Sequence, residues 1–165
     1  MAIDRIYLSL IGPSDAPDEV LRTAEQAGEL IARAGAVLVT GGRGGAMEAA
    51  CRGAKAAGGL TVGLLPGSFR SEGNRYLDVA LPTGMGEMRN VLVVRSGDGL
   101  LAVGGGYGTL SELGLALKLG KPVVGIGTWE PSAGGVPAPI PAASTAEEAV
   151  RMLLEAVSSP KMQLG

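Results

Sequence analysis

The sequence lacks histidine and contains one cysteine, Cys51. The first absence excludes nucleophilic sites built on Ser-His or Cys-His pairs, and the two together exclude zinc sites built from nitrogen and sulfur ligands. With one cysteine the chain cannot form an internal disulfide, and we predict that Cys51 is a small buried residue of a helix. Any acid–base chemistry therefore falls to carboxylates, and we predict no metal site.

Aromatic residues are also scarce, at 3% of the chain, and this scarcity argues against a platform for stacking nucleic-acid bases. Hydrophobic residues make up 46%, and 28 of the 165 residues are glycine, which is typical of an α/β protein with close backbone approaches. The 14 basic and 16 acidic residues give a net charge of -2, so the expected partner is a small molecule rather than a nucleic acid or an anionic membrane.

A secretory signal and long apolar runs are absent from the sequence as well. No apolar run reaches the ~20 residues that a transmembrane helix needs. We therefore expect a cytoplasmic protein. The length of 165 residues is about that of one domain, so we predict a single nucleotide-binding domain over residues 1–165.

The most informative stretch that the sequence does contain is VGGGYGTLSE, residues 103–112. It follows an apolar run and leads into a helical pattern, which predicts a strand whose carboxyl end meets the N-terminus of a helix. Such a junction binds anions, because its free N–H groups and the helix dipole point at the ligand. The alternative is a tight turn with Glu112 as a solvated first-turn residue. The predicted phosphate contacts are Gly105, Gly106, Gly108 and Thr109, with the Glu112 carboxylate at the same mouth.

A second glycine cluster, GGRGG at 41–45, follows the apolar run 36–40 and also leads into a helical pattern. We predict that Arg43 places its guanidinium beside a phosphate or carboxylate, the alternative being a solvated loop arginine. Ser14, which follows the first predicted strand, is either a further phosphate contact or a plain helix cap. The glycines of this cluster that we assign to the site are Gly41, Gly42 and Gly45.

About six strands alternate with five helices along the chain, which predicts a doubly wound, mainly parallel Rossmann-like sheet with helices on both faces. We predict one helix over 84–96, apolar on nearly all sides, with one side against another subunit. Ser14 or Asp15 is the predicted cap of the first helix. A capping box from Ser144 to Glu147 opens the last helix, after an irregular stretch at 130–143.

Together the two glycine motifs resemble the Lonely Guy family and its neighbours, the Rossmann-like proteins long labelled lysine decarboxylases. The similarity covers most of residues 36–126. The family pattern P-G-G-x-G-T-x-x-E is matched at Gly105, Gly106, Gly108, Thr109 and Glu112, with Gly104 in place of the proline. The earlier pattern G-G-G-x-x-G-L-M-G is matched at Gly41, Gly42, Gly45 and Met47, with Thr40, Ala46 and Glu48 as departures.

The resemblance implies a phosphoribohydrolase that cleaves the N-glycosidic bond of nucleoside 5'-monophosphates. It assigns catalysis to Glu112 and to Arg89, the arginine of an Arg-Lys pair whose lysine is here Asn90. The Arg-Asn pair and the short chain are more similar to a sister branch that includes the molybdenum cofactor carrier protein, a non-catalytic binder of a phosphate-bearing cofactor. Both functions stay open, with the enzyme as the first hypothesis and the carrier as the alternative.

The family also implies a homo-oligomer, either a dimer or a tetramer, whose ligand is a nucleotide or another phosphate ester. We predict no required cofactor. The decarboxylase label is excluded, because a pyridoxal phosphate enzyme needs a lysine in its pocket. The lysines are predicted at the far ends of helices or in the tail, and they are Lys55, Lys118, Lys121 and Lys161.

Overall fold

The computed structural model describes residues 5–159, in which six strands form one sheet with every neighbouring pair parallel. These strands are the apolar runs of the sequence, as expected for strands covered on both faces. They are β1 (Tyr7–Ile11), β2 (Val37–Thr40), β3 (Thr61–Leu65), β4 (Val79–Pro82), β5 (Gly99–Val103) and β6 (Val123–Ile126). Their spatial order is β4-β3-β2-β1-β5-β6.

Five α-helices cover the two faces of this sheet, which confirms the predicted doubly wound α/β fold. They are α1 (Asp18–Arg33), α2 (Ala46–Ala56), α3 (Asn90–Ser96), α4 (Tyr107–Lys118) and α5 (Ala146–Ser158). One core lies between the sheet and α1, α2 and α5, and a second lies between the sheet and α3 and α4. Alternate residues of β1 serve the two cores, since Leu8 and Leu10 join the first and Ile11 the second.

The strand order changes direction beside β1. From β1 the chain moves to β2 on one side of it, and β5 later pairs with β1 on its other side. In doubly wound sheets the loops at the carboxyl ends of such strands diverge and leave a crevice. Both glycine clusters follow strands next to β1, so the fold brings them to one edge of the sheet. No helix within 5–159 is long and apolar enough to cross a bilayer.

The prediction of one helix over 84–96 is wrong. The structure has a 3-10 helix at Gly86–Arg89, followed by the short α3. Gly84 and Gly86 have φ values of +65° and +57°, which a continuous α-helix from residue 84 cannot include. Val93 and Val94 are buried within the chain, whereas Met85 and Met88 are exposed on the 3-10 segment. The expected contact with another subunit stays a prediction.

Both predicted helix caps are displaced along the chain. The first helix starts at Asp18 with Pro17 at the N-cap position and no side-chain cap, so neither Ser14 nor Asp15 caps it. The last helix is capped by Thr145, whose hydroxyl accepts from the Glu148 N–H at 3.2 Å. The predicted pair was Ser144 and Glu147, one residue early. The stretch at 130–143 is not wholly irregular, since it contains a small hairpin of β7 (Ser132–Ala133) and β8 (Val136–Pro137).

Candidate ligand-binding site

A cleft of about 460 Å³ opens at the carboxyl edge of the sheet, beside β1. The loops that follow β1, β2 and β5 line it, together with the segment that leads into α3. Its volume is in the usual range of small-molecule sites, about 300–1,000 Å³. Seven of the residues predicted from the sequence line this cleft: Ser14, Arg43, Arg89, Gly106, Gly108, Thr109 and Glu112.

The remaining four predicted residues do not line the cleft. Gly41 and Gly42 are buried and Gly45 is half-buried in the loop between β2 and α2, where their neighbours are other parts of the chain. Gly105 lines a second depression, on the side of β6. The structure therefore brings seven of the eleven predicted residues together, and Gly41, Gly42 and Gly45 lie close to other parts of the chain.

Loop 41–45 is held by the chain around it. A Cβ added at Gly41 would lie 2.8 Å from Cζ of Arg89, so glycine here makes room for the guanidinium. Asn74 closes the loop from the other side, because its backbone N–H donates to the Gly42 carbonyl at 2.9 Å and its side-chain amide donates to the Arg43 carbonyl at 3.1 Å. The segment between β3 and β4 thus supports the cleft through Asn74.

Loop 104–108 is open at its helix end, whereas Gly104 and Gly105 have side chains close to an added Cβ. Among the described residues, nothing lies within 4 Å of a Cβ added at Gly106 or Gly108. Helix α4 starts directly after Gly106, so its first N–H groups face this space without intrahelical acceptors. Gly104 has a φ of +65°, which proline cannot adopt. The glycine at the position of the family's proline therefore gives this loop a backbone path that the family motif does not allow.

Arg89 lies between the two loops, with only 9% of its surface exposed. Its Nε is buried and has no hydrogen-bond partner within residues 5–159. Burial lowers the pKa of the guanidinium, while the carboxylates of Glu112 and Glu87 raise it. An arginine nevertheless keeps its charge in proteins. A buried cation with an unpaired donor is costly, and it marks a position suited to an anionic ligand.

Glu112 is the buried carboxylate of the cleft, 8% exposed and one turn into α4. The pKa of its carboxyl is raised to about 7, mainly by burial; the guanidinium of Arg89 opposes this rise, and the carboxylate of Glu87 adds to it. Near neutral pH the group therefore exchanges between its acid and its carboxylate. Such a group can donate a hydrogen bond to a ligand, accept one from it, or act as an acid or a base.

Sequence reasoning missed two acidic side chains of the cleft, Asp15 and Glu87, and it named Asn90 only as a departure from the family. Asp15 is in a loop and Glu87 is in a single short 3-10 helix, and neither segment has a periodic pattern that indicates which way a side chain points. Within residues 5–159 no group of three potential ligands is arranged to hold a metal ion. No described lysine lines the cleft, and Lys161 lies outside the described residues.

An aromatic pair adjoins the cleft. The rings of Tyr107 and Trp129 have centroids 5.6 Å apart and planes tilted by 32°. The Trp129 indole N–H donates to the Gly106 carbonyl at 3.0 Å, so the loop after β6 holds the loop after β5. Trp129 also lines the second depression, of about 360 Å³, with Gly105 and Thr128. The sequence analysis did not predict that these two aromatic side chains meet.

Comparison with known proteins matches this fold and site to one family. A protein of Archaeoglobus fulgidus, named only as uncharacterized, is 47% identical over 121 residues, which are 73% of this chain and 80% of that protein. The structure of the molybdenum cofactor binding protein of Rippkaea orientalis is similar with a TM-score of 0.86 and 34% identity, over 95% of this chain and 100% of that one.

The molybdenum cofactor carrier protein of Chlamydomonas reinhardtii is similar as well, with a TM-score of 0.82 and 33% identity over 94% of this chain and 99% of that one. The family model described as the SLOG cluster4 family matches residues 5–158, which include every residue of the cleft. The chain belongs to the SLOG cluster4 family.

Proposed function

We propose that this protein binds a phosphate ester of the molybdenum cofactor type in the cleft and releases it unchanged. Two similar structures are named for binding or carrying that cofactor, and they align over nearly all of this chain. The observation that carries the proposal is Arg89. Its side chain lines the cleft together with the first residues of α4, and its buried Nε has no hydrogen-bond partner within residues 5–159, which favours an anionic ligand at this place.

The binding mode follows from the groups that line the cleft. The phosphate lies at the N-terminus of α4, where the N–H groups from Gly106 to Thr109 point into open space. Arg89 donates from below and Arg43 from the exposed loop. Hydrogen bonds between charged groups are worth about 1.5–3 kcal/mol, so these two arginines account for much of the affinity.

A second function, hydrolysis of nucleoside 5'-monophosphates, is favoured by Glu112. A buried carboxyl with a pKa of about 7 could stabilise an oxocarbenium-like state or activate a water. Asn90 lines the cleft where the resemblance calls for a lysine, so the site has one cation fewer than the family's enzymes. We therefore place binding first and hydrolysis second.

The test is to purify the protein from cells that make the molybdenum cofactor and to measure bound molybdenum by mass spectrometry and bound pterin by fluorescence after oxidation. We expect both in the wild type. Arg89→Met keeps the length of the side chain and removes its charge, so retention should fall about tenfold or more. The control is Arg95→Met, an exposed arginine of α3 outside the cleft, which should retain the ligand.

Two outcomes contradict the proposal. A wild type that carries neither molybdenum nor pterin is not a binder of this cofactor. Equal retention of molybdenum and pterin by the wild type and Arg89→Met would show that the anion does not bind at Arg89. Release of adenine from AMP by the same preparation, lost in Glu112→Gln, would support the second function instead.

A further inference from the structure

We propose that Tyr107 and Trp129 form a platform on which the ligand's fused heteroaromatic ring stacks, while its phosphate lies at the start of α4. The inference rests on the proposed function and assigns a place to the ring of its ligand, a pterin for the first function or a purine for the second. A bare sugar phosphate would satisfy the cleft and leave the platform uncovered.

The first argument is the exposure of the pair. The chain has one Trp, three Tyr and one Phe, and two of these five rings meet beside the glycine loop. Tyr107 is 82% exposed, so one face of its ring is free for a ligand. Aromatic side chains at such a site bind the flat faces of heterocycles, and stacking tolerates any base because every base has a π-face.

The second argument is rigidity. The Trp129 indole is fixed by its hydrogen bond to the Gly106 carbonyl and by contact with Tyr107. A Cβ added at Gly105 would lie 3.0 Å from Cδ1 of Trp129, so glycine at this position lets the loop pass close to the indole. A platform already in place loses little side-chain entropy when a ring binds, and the gain from stacking is kept.

The third argument is distance along the chain. Gly106 lines the cleft, and Tyr107 is both the next residue and the first of α4. Tyr107 therefore stands in the chain between two residues that line the cleft, Gly106 and Gly108. The depression next to Trp129, of about 360 Å³, leaves room for a ring on this side of the loop. Gly105 lines this depression and the next residue, Gly106, lines the cleft, so the two spaces adjoin along one loop.

The experiment uses Trp129 as its own reporter, since it is the chain's only tryptophan. Ribose 5-phosphate, AMP and GMP are titrated while tryptophan fluorescence and binding heat are recorded. We expect AMP or GMP to bind about tenfold more tightly than ribose 5-phosphate and to quench the fluorescence. Tyr107→Ala should abolish the tighter binding of AMP or GMP and leave the affinity for ribose 5-phosphate unchanged. Tyr107→Phe keeps an aromatic ring, so it should bind AMP or GMP as tightly as the wild type does.

The control is Phe69→Ala, which removes an aromatic ring that is 68% exposed and does not line the cleft. It should change neither affinity. If the three probes bind with equal affinity and none quenches Trp129, the platform is wrong while the phosphate site stands. If none of them binds, ribose 5-phosphate included, the phosphate site fails and the platform fails with it.

Discussion

Two glycine-rich loops lie at the same edge of the sheet, and the structure uses their glycines in opposite ways. In loop 41–45, added Cβ atoms at Gly41 and Gly45 would meet the Arg89 guanidinium and the backbone of Ser14. In loop 104–108, added Cβ atoms at Gly106 and Gly108 would meet nothing among the described residues within 4 Å. The first loop needs glycine for packing, and the second leaves its backbone open to a ligand.

The two helices that follow these loops also differ in whether their first backbone N–H groups have partners within the chain. The first N–H of α2, that of Ala46, donates to the Pro13 carbonyl at 3.0 Å. The start of α4 has its first N–H groups facing the cleft. A strand, a glycine cluster and a helix therefore do not by themselves make an anion site, because a neighbouring loop can occupy the same donors. The start of α4 therefore leaves more backbone N–H groups available to a phosphate than the start of α2 does.

The largest expected difference in stability between the two loops is at Gly45. Gly45 has a φ of +63° and a ψ of -132°, a conformation nearly restricted to glycine, and its Cβ would lie 2.5 Å from the Ser14 carbonyl oxygen. Backbone strain and overpacking add, so we expect Gly45→Ala to lower the free energy of unfolding by about 4 kcal/mol. Urea denaturation measures the loss.

The matched control is Gly35→Ala, at a glycine with a φ of +76° and nothing within 4 Å of its added Cβ in the described chain. This variant contains the backbone strain without the steric clash, and it should lose only about 1–2 kcal/mol. Equal losses in the two variants would mean that loop 41–45 is not closely packed against the loop after β1.

The second prediction concerns the carboxylates of the two helices, Glu112 in α4 and Glu48 in α2. Burial raises the pKa of Glu112 to about 7 from an ordinary value of 4.5. Between these values the folded state binds more protons than the unfolded chain, so stability falls as pH rises through this window. Above pH 7 the loss is complete, and it amounts to about 3 kcal/mol.

Glu112→Gln should remove this loss, because the amide cannot ionise. Its unfolding free energy should match that of the wild type near pH 4.5 and exceed it by about 3 kcal/mol at pH 8. The control is Glu48→Gln, whose side chain is half-buried in the first turn of α2 and does not line the cleft. Parallel pH profiles for wild type and Glu112→Gln would show that Glu112 is solvated.

The sequence was sufficient for the sheet, because buried parallel strands are apolar runs and each run here is followed by glycine or proline. It was also sufficient for three polar residues of the cleft, Arg43, Thr109 and Glu112, since these have fixed offsets from the glycine motifs. Arg89 was named through the family resemblance. Its burial against Gly41 depends on residues 48 positions apart, which no local pattern encodes.

The errors have physical causes of the same kind. The 84–96 segment has the hydrophobicity of a helix, but Gly84 and Gly86 take positive φ values that the apolar pattern does not reveal. Gly41, Gly42 and Gly45 do not line the cleft, and their role in binding stays a prediction, because a sequence does not tell an empty neighbourhood from a filled one. The contact between Trp129 and Gly106 joins two loops 23 residues apart. In each case tertiary packing decided the outcome.

The smallest expected effect is at Gly108, and it has the opposite sign to that at Gly45. Gly108 is in the first turn of α4, and its added Cβ meets open space within the described residues. Alanine favours a helix over glycine, so Gly108→Ala should raise the free energy of unfolding by about 0.5–1 kcal/mol.

The same methyl group would project from a residue that lines the cleft, so the affinity for inorganic phosphate should fall while stability rises. Urea denaturation and calorimetry on one preparation measure the two quantities. A loss of stability would show that loop 104–108 is packed like loop 41–45. An unchanged phosphate affinity would place the anion away from the first turn of α4, which is the feature that distinguishes the open loop from the closed one.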